Sequence, residues 1–88
     1  MKQRKNAGYI ITLSIQFPKF EYVFGEKPDG SGFVTWYCSN GNNYCFGHYI
    51  TDRDTALLDL YERTQDEIAT VIYRLKDKIE RKTDNKED

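Results

Sequence analysis

A chain of 88 residues is long enough for one domain and too short for two, and it can bury only a limited core. The formal net charge of −1 excludes a global electrostatic attraction to nucleic acid or to a membrane surface. The 13 aromatic residues are more than one sheet face and one helix stripe can cover, so we expect some of the rings at the surface.

The chain begins with a polar, basic segment, residues 1–8, that ends in glycine. This composition is typical of a flexible N-terminal arm. The apolar run that follows alternates with polar residues and is too short for a signal peptide or a membrane span. We therefore expect a cytoplasmic protein.

The first two predicted strands lie close together. Residues 9–17 alternate between apolar and other side chains, which indicates a strand with one buried face, and Pro18 ends it. Residues 20–24 alternate in the same way and predict a second strand. Residues 27–32 are rich in turn formers and separate this pair from the next.

Residues 33–39 and 44–50 predict a hairpin around the loop 40–43. A four-residue loop gives one face the pairs Cys38–Cys45, Trp36–Gly47 and Val34–Tyr49, and the other face Tyr37–Phe46, Thr35–His48 and Phe33–Ile50. We favour this register because the Trp36 ring would cover the bare backbone of Gly47. A two-residue Asn-Gly turn is the alternative.

A long helix is predicted from Asp52 to about Lys82. This stretch contains no Gly or Pro, and its apolar residues recur at spacings of three and four. Thr51 or Asp52 is the expected cap. The pattern of residues 64–67 resembles a second capping box, so a break into two helices is the alternative to one continuous helix. A helix of this length spans roughly 45 Å, about twice the length of a seven-residue strand.

The element order β-β-β-β-α predicts an α+β fold, with an antiparallel sheet of three to four strands and one long C-terminal helix across one face. We expect a single domain over residues 9–82. Residues 83–88 are charged and are predicted to form a frayed tail.

The chain contains few candidates for catalytic or metal-binding residues. His48 is the only histidine, and strand parity places its side chain on the opposite face from Cys45, which argues against a Cys–His dyad. A structural zinc site needs four Cys or His ligands and the chain has three. We expect Cys38 and Cys45 to be free thiols, with a cross-strand disulfide as the alternative. No cofactor, metal site or enzymatic activity is predicted.

The helix and the sheet suggest a protein-binding module. The sheet cannot cover the last turns of the helix, and these turns carry an apolar stripe. We predict that this stripe is a homodimer interface, formed by Ile68, Ile72, Leu75 and Ile79. The spacing 57, 61, 64, 68, 71, 75 and 78 follows a heptad only loosely, because Thr64 and Lys78 interrupt it.

A further protein partner is predicted to contact rings of the sheet and acidic residues of the first half of the helix, namely Tyr37, Phe46, Asp59, Glu62 and Asp66. Small acidic proteins without catalytic activity are common among phage and mobile-element products. From this size class we expect an inhibitor that blocks the surface of a host nuclease or polymerase.

Nucleic-acid binding is the alternative function. The predicted layout resembles, in architecture alone, the arm-type DNA-binding domains of tyrosine recombinases. Aromatic strands can stack on bases, and Lys2, Arg4 and Lys5 of the arm could contact phosphates. Residues 9–50, however, contain only Lys19 and Lys27 as basic residues, which is few for phosphate neutralisation.

Overall fold

The computed structural model describes residues 3–86, with side chains through Lys82. Five antiparallel strands follow one another in sheet order and are followed by one helix: β1 (Lys5–Asn6), β2 (Tyr9–Gln16), β3 (Phe20–Glu26), β4 (Phe33–Ser39), β5 (Asn43–Ile50) and α1 (Arg53–Lys86). The predicted α+β class and long C-terminal helix are confirmed, with one strand more than expected.

The additional strand is β1, in the segment that we expected to be a loose arm. Lys5 and Asn6 pair with β2 across a two-residue turn at Ala7 and Gly8, whose φ angles are 52° and 86°. Two positive φ values are typical of a type I′ hairpin turn. This strand was not predicted, because two polar residues have no hydrophobic period and Ala rarely adopts a positive φ. Residues 1 and 2 lie outside the described part of the chain.

Strand β2 does not keep one side buried along its whole length. Its pairing with β3 shifts between Ile11 and Leu13, so Thr12 is an extra residue in a β-bulge. The bulge reverses the alternation. Ile11 therefore packs on one face of the sheet, and Ile15 packs on the other.

Each face of the curled sheet has its own buried cluster. The helix-face cluster consists of Phe24, Phe33, Ala56 and Leu60. The far-face cluster consists of Tyr9, Val23, Val34, Trp36 and Cys38. Trp36 is only 3% exposed although no helix lies over it, since the curl of the sheet brings rings from both ends of the sheet onto this face. Tyr9 lies edge-on to Trp36 at 5.7 Å, and Tyr44 lies at 5.2 Å.

The β4–β5 hairpin follows the predicted register in only one half. The pairs Phe33–Ile50, Val34–Tyr49 and Thr35–His48 form as expected. Nearer the turn the register slips by one residue, and the observed pairs are Tyr37–Cys45, Cys38–Tyr44 and Ser39–Asn43. The predicted pairs Cys38–Cys45 and Tyr37–Phe46 are therefore wrong, because a bulge places residues 46 and 47 together opposite Trp36. The Trp36 ring does cover the backbone of Gly47, as predicted.

The turn of this hairpin contains the Asn-Gly pair at its centre. Asn40 and Gly41 have φ angles of 57° and 76°, and the Asn42 N–H donates to the Ser39 carbonyl at 3.3 Å. Both cysteines are free thiols. The register slip places Cys45 opposite Tyr37, so Cys38 and Cys45 do not face each other.

Helix α1 is continuous. Asp52 caps it, because its carboxylate accepts the Thr55 N–H at 2.8 Å and the Thr55 hydroxyl at 2.7 Å. Thr64 does not break the helix. Its hydroxyl donates to the Leu60 carbonyl one turn back at 2.8 Å.

The helix packs on the sheet through its first part only. Ala56 and Leu60 are fully buried and Thr64 is 4% exposed, whereas every large apolar side chain from Ile68 onward except Val71 is largely exposed. The molecule measures 63 × 26 × 21 Å. The helix continues to Lys86, so the predicted tail at residues 83–86 is helical; residues 87 and 88 lie outside the described part.

Candidate interaction surface

Five rings form a continuous row on the helix face of the sheet, beside the helix. This aromatic row consists of Phe17, Phe20, Tyr22, Tyr37 and Phe46. Phe17 and Phe20 stack at 5.1 Å between centroids, and Phe20 stacks on Tyr37 at 4.9 Å. Tyr22 lies edge-on to Tyr37 at 5.9 Å, and Phe46 extends the row at 6.0 Å from Tyr37. Four of the rings are half-buried and Phe46 is 73% exposed.

Phe46 projects from the bulge in β5. Its φ angle is 55°, which is a rare backbone conformation for an aromatic residue. Such a conformation costs on the order of 1–3 kcal/mol, and strained residues of this kind concentrate at functional sites. Two residues predicted to bind a partner, Tyr37 and Phe46, are thus in contact, although they are not paired in the ladder as we expected.

The helix borders the aromatic row along one side. The Arg63 guanidinium lies 5.1 Å from the centroid of the Tyr22 ring. Further along, a groove of about 310 Å³ separates the helix from the turn between β2 and β3. Its walls are formed by Phe17, Pro18, Lys19, Phe20, Glu67, Val71, Arg74 and Leu75. The row therefore continues into an apolar groove with charged edges.

A polar cluster fixes the start of the helix to the sheet. The Asp59 carboxylate accepts the hydroxyl of Thr35, and Nδ1 of His48 lies 3.0 Å from the same carboxylate. Arg63 donates to the Thr35 hydroxyl at 2.9 Å. Asp59, which we predicted to bind a partner, is thus engaged within the chain. The other two predicted acidic residues, Glu62 and Asp66, are exposed.

The far face has an ion pair that the sequence analysis missed, between a buried carboxylate and a partly exposed guanidinium. Glu21 is 4% exposed, and both of its oxygens accept hydrogen bonds from Arg4 at 3.0 Å. Ser14 and Gln16 also donate to Glu21, and Arg4 reaches the Tyr44 hydroxyl at 3.1 Å. Arg4 is therefore engaged inside the fold and is not a free cation on a basic arm.

This arrangement changes the pKa values of both partners. The hydrogen bond to Glu21 is the main cause that raises the pKa of Arg4 above its ordinary value. Burial acts to raise the pKa of Glu21, but the hydrogen bonds from Arg4 and Ser14 outweigh it and lower that pKa below 4.5. Both groups are thus held in their charged forms.

The four residues that we predicted at a dimer interface are all on the surface of the helix. Ile68, Ile72, Leu75 and Ile79 are 45–60% exposed, and so are Leu58 and Tyr61 in the first half of the helix. We call this set of six, together with Gln65 which lies between them, the exposed seam. The sequence analysis missed Leu58, because the spacing it followed runs through Leu57 and Thr64 on the side that packs towards the sheet.

Among the described side chains, those of residues 3–82, no group of three or more from His, Cys, Asp or Glu is arranged to hold a metal ion. No helix within residues 3–86 combines the length and the hydropathy that a bilayer crossing requires. Comparison of the chain with protein-family models, with curated proteins and with solved structures found no match.

Proposed function

We propose that this protein is a small non-enzymatic binding module, with the aromatic row as its contact surface for a protein partner. The observation that carries the proposal is the row itself, which ends at an outward-facing ring held in a strained backbone. A strained, exposed Phe46 lowers stability and adds nothing to the core, so it is best explained by a contact with another molecule.

The chemistry of the surface supports a protein partner. Aromatic residues are common among the residues that dominate binding energy at protein interfaces. Glu62 and Asp66 on the acidic half of the helix would accelerate the approach of a basic partner. We propose further that the helix associates with a second copy through Ile68, Ile72, Leu75 and Ile79.

For the biological role, we propose an inhibitor that covers the surface of a host nuclease or polymerase. Such enzymes bind a polyanion and have basic surfaces. These surfaces are electrostatically complementary to an acidic module without catalytic activity. The small size and the isoelectric point of about 5.8 support this class, and a phage or mobile element is the expected source.

A matched pair of variants tests the aromatic row. Phe46 and Tyr73 are both 73% exposed, but Tyr73 lies on the helix, away from the row. We expect Phe46→Ala and Tyr37→Ala to reduce capture of the partner from a lysate of the source cells, and Tyr73→Ala to leave it unchanged. A hot-spot ring accounts for roughly 2 kcal/mol, or about thirtyfold in affinity. Equal capture by all the variants would rule the row out, and a large fall in the melting temperature of Tyr37→Ala would assign that ring to the core.

Nucleic-acid binding is the second candidate, and the stacked rings of the row are the observation that favours it, since bases stack on such platforms. Arg63 and Arg74 lie beside the row, but Arg4 is engaged with Glu21. A gel-shift series against salt with single-stranded oligonucleotides separates the two candidates. Tight binding with a steep salt dependence would support nucleic acid. Absence of a shift at micromolar protein would support a protein partner.

A further inference from the structure

The exposed seam follows a heptad more closely than the spacing that the sequence suggested. Written as a heptad, the seam has Leu58, Gln65, Ile72 and Ile79 at its a positions. Its d positions are Tyr61, Ile68 and Leu75. The series covers 22 residues, or about three heptads, and Gln65 is its only polar member. Sustained apolar a and d positions are typical of a two-stranded coiled coil.

The side of the helix that faces the sheet is a different one. Leu60 and Thr64 are buried against the sheet, whereas the seam is turned roughly a quarter of the way around the helix from them. A second helix can therefore lie along the whole seam beside the sheet.

The charges of the helix determine the direction of the second helix. Residues 53–67 carry five acidic and two basic side chains, a net charge of −3. Residues 68–82 carry two acidic and five basic side chains, a net charge of +3. A parallel pair would set like halves side by side, whereas an antiparallel pair sets each acidic half against a basic half.

We infer that two copies of this chain pair along the exposed seam as an antiparallel coiled coil. The inference rests on the proposed association of the helix with a second copy, and it adds the direction and the register. Pairing a with d positions sets Ile68 against Ile72 of the second copy and Tyr61 against Ile79 of the second copy. The two-fold axis then passes near residue 70.

The flanking positions agree with this register. Glu62 and Lys76 occupy e positions, and e positions face each other in an antiparallel pair. Each Glu62 therefore faces Lys76 of the second copy, and this contact forms twice. Ala69, also at an e position, lies near the two-fold axis and faces Ala69 of the second copy. Its small side chain lets the two helices approach each other. A parallel pair would gain a contact between the two Gln65 side chains but would lose both charge pairs.

The arrangement has a consequence for the proposed function. The two sheets would stand at opposite ends of the helix pair, each with its own aromatic row. The dimer would then offer two copies of the contact surface, and a partner with two sites could bind with avidity.

Distance measurements between spin labels test the direction of the helices. Tyr73→Cys and Glu80→Cys place one label each at exposed b positions, in a Cys38→Ala/Cys45→Ser background. In the antiparallel dimer the labels are displaced along the axis by about 9 Å at residue 73 and about 30 Å at residue 80. We expect a clearly longer distance for the residue 80 pair. Equal distances at the two positions would show a parallel dimer and overturn the inference while leaving dimerisation intact.

A charge-swap cycle tests the register independently. Glu62→Lys alone and Lys76→Glu alone should each weaken the dimer about tenfold at low salt, because two like-charge contacts replace two pairs. The double variant should return to the wild-type dissociation constant in sedimentation experiments. Asp66→Lys is the control, since Asp66 lies on the same half of the helix but away from the seam. A double variant as weak as the singles would contradict the register, and a monomer of wild-type sequence at all concentrations would overturn the dimer itself.

Discussion

At the scale of single residues, Gly47 has less room for a side chain than any other glycine of the chain. A Cβ atom at this position would lie 2.7 Å from Nε1 of Trp36 and 3.0 Å from the Tyr49 ring. We expect Gly47→Ala to lower the free energy of unfolding by about 1–3 kcal/mol, measured by denaturant titration. The cost should be smaller in a Trp36→Phe background, because that change removes the nearest atom. An unchanged free energy of unfolding in Gly47→Ala would contradict this packing.

We expect Phe46 to lower the stability of the fold and to contribute to partner binding. Glycine adopts a φ of 55° without strain, so we expect Phe46→Gly to keep or raise the melting temperature by relieving the backbone. The same change removes the outward ring and should abolish partner capture. A variant that is both less stable and fully active would show that Phe46 is a packing residue.

Glu21 should make stability depend on acid pH. Its pKa is lower in the folded chain than its ordinary value of 4.5, so its contribution is complete above that value and is lost as the pH falls through the folded pKa. We expect Glu21→Gln to lower the free energy of unfolding at pH 7 by roughly 1–3 kcal/mol, towards the lower end because Arg4 is partly exposed. The difference from wild type should shrink as the pH falls below 4.5. Equal differences at pH 7 and pH 3 would contradict the charged pair.

Local chemistry explains which of these residues could be predicted. The cover of Gly47 by Trp36 follows from a bare glycine opposite a large ring. The positive φ of Phe46 could not be predicted, because its neighbours form an ordinary strand pattern. The Arg4–Glu21 pair joins residues 17 positions apart and depends on the curl of the sheet, which no local pattern encodes.

At the scale of elements, the long helix was the easiest to predict and the bulges were the hardest. A stretch without Gly or Pro and with regular apolar spacing gives helix α1 almost directly. The bulges at Thr12 and at residues 46 and 47 each insert one residue into a strand that otherwise alternates cleanly. Each bulge moves every later side chain of its strand to the other face, so a single missed bulge changes half of the predicted contacts.

The exposed seam gives a prediction at this scale. We expect Leu75→Asp and Ile79→Asp to be monomers with unchanged helix content, because a carboxylate at the seam opposes association and does not touch the sheet core. Size-exclusion chromatography with light scattering gives the mass, and circular dichroism gives the helix content. Tyr73→Asp, on the same turns of the helix but off the seam, should remain a dimer. If both seam variants stay dimeric, the distal helix is not the contact.

The shape of the whole molecule follows from the difference in length between helix and sheet. A helix of 34 residues extends about 50 Å, and the longest dimension of the molecule is 63 Å. The strands have at most eight residues each, so the sheet cannot cover the distal turns. We attribute the apolar side chains on those turns to association with a second copy.

Sedimentation equilibrium of the purified wild-type chain tests this claim most directly. The chain has a mass of 10.4 kDa, and we predict a concentration-dependent equilibrium that reaches twice this mass in the micromolar range, with Leu75→Asp at the mass of a single chain. A wild-type chain that stays at the single-chain mass up to the highest soluble concentration would contradict the account.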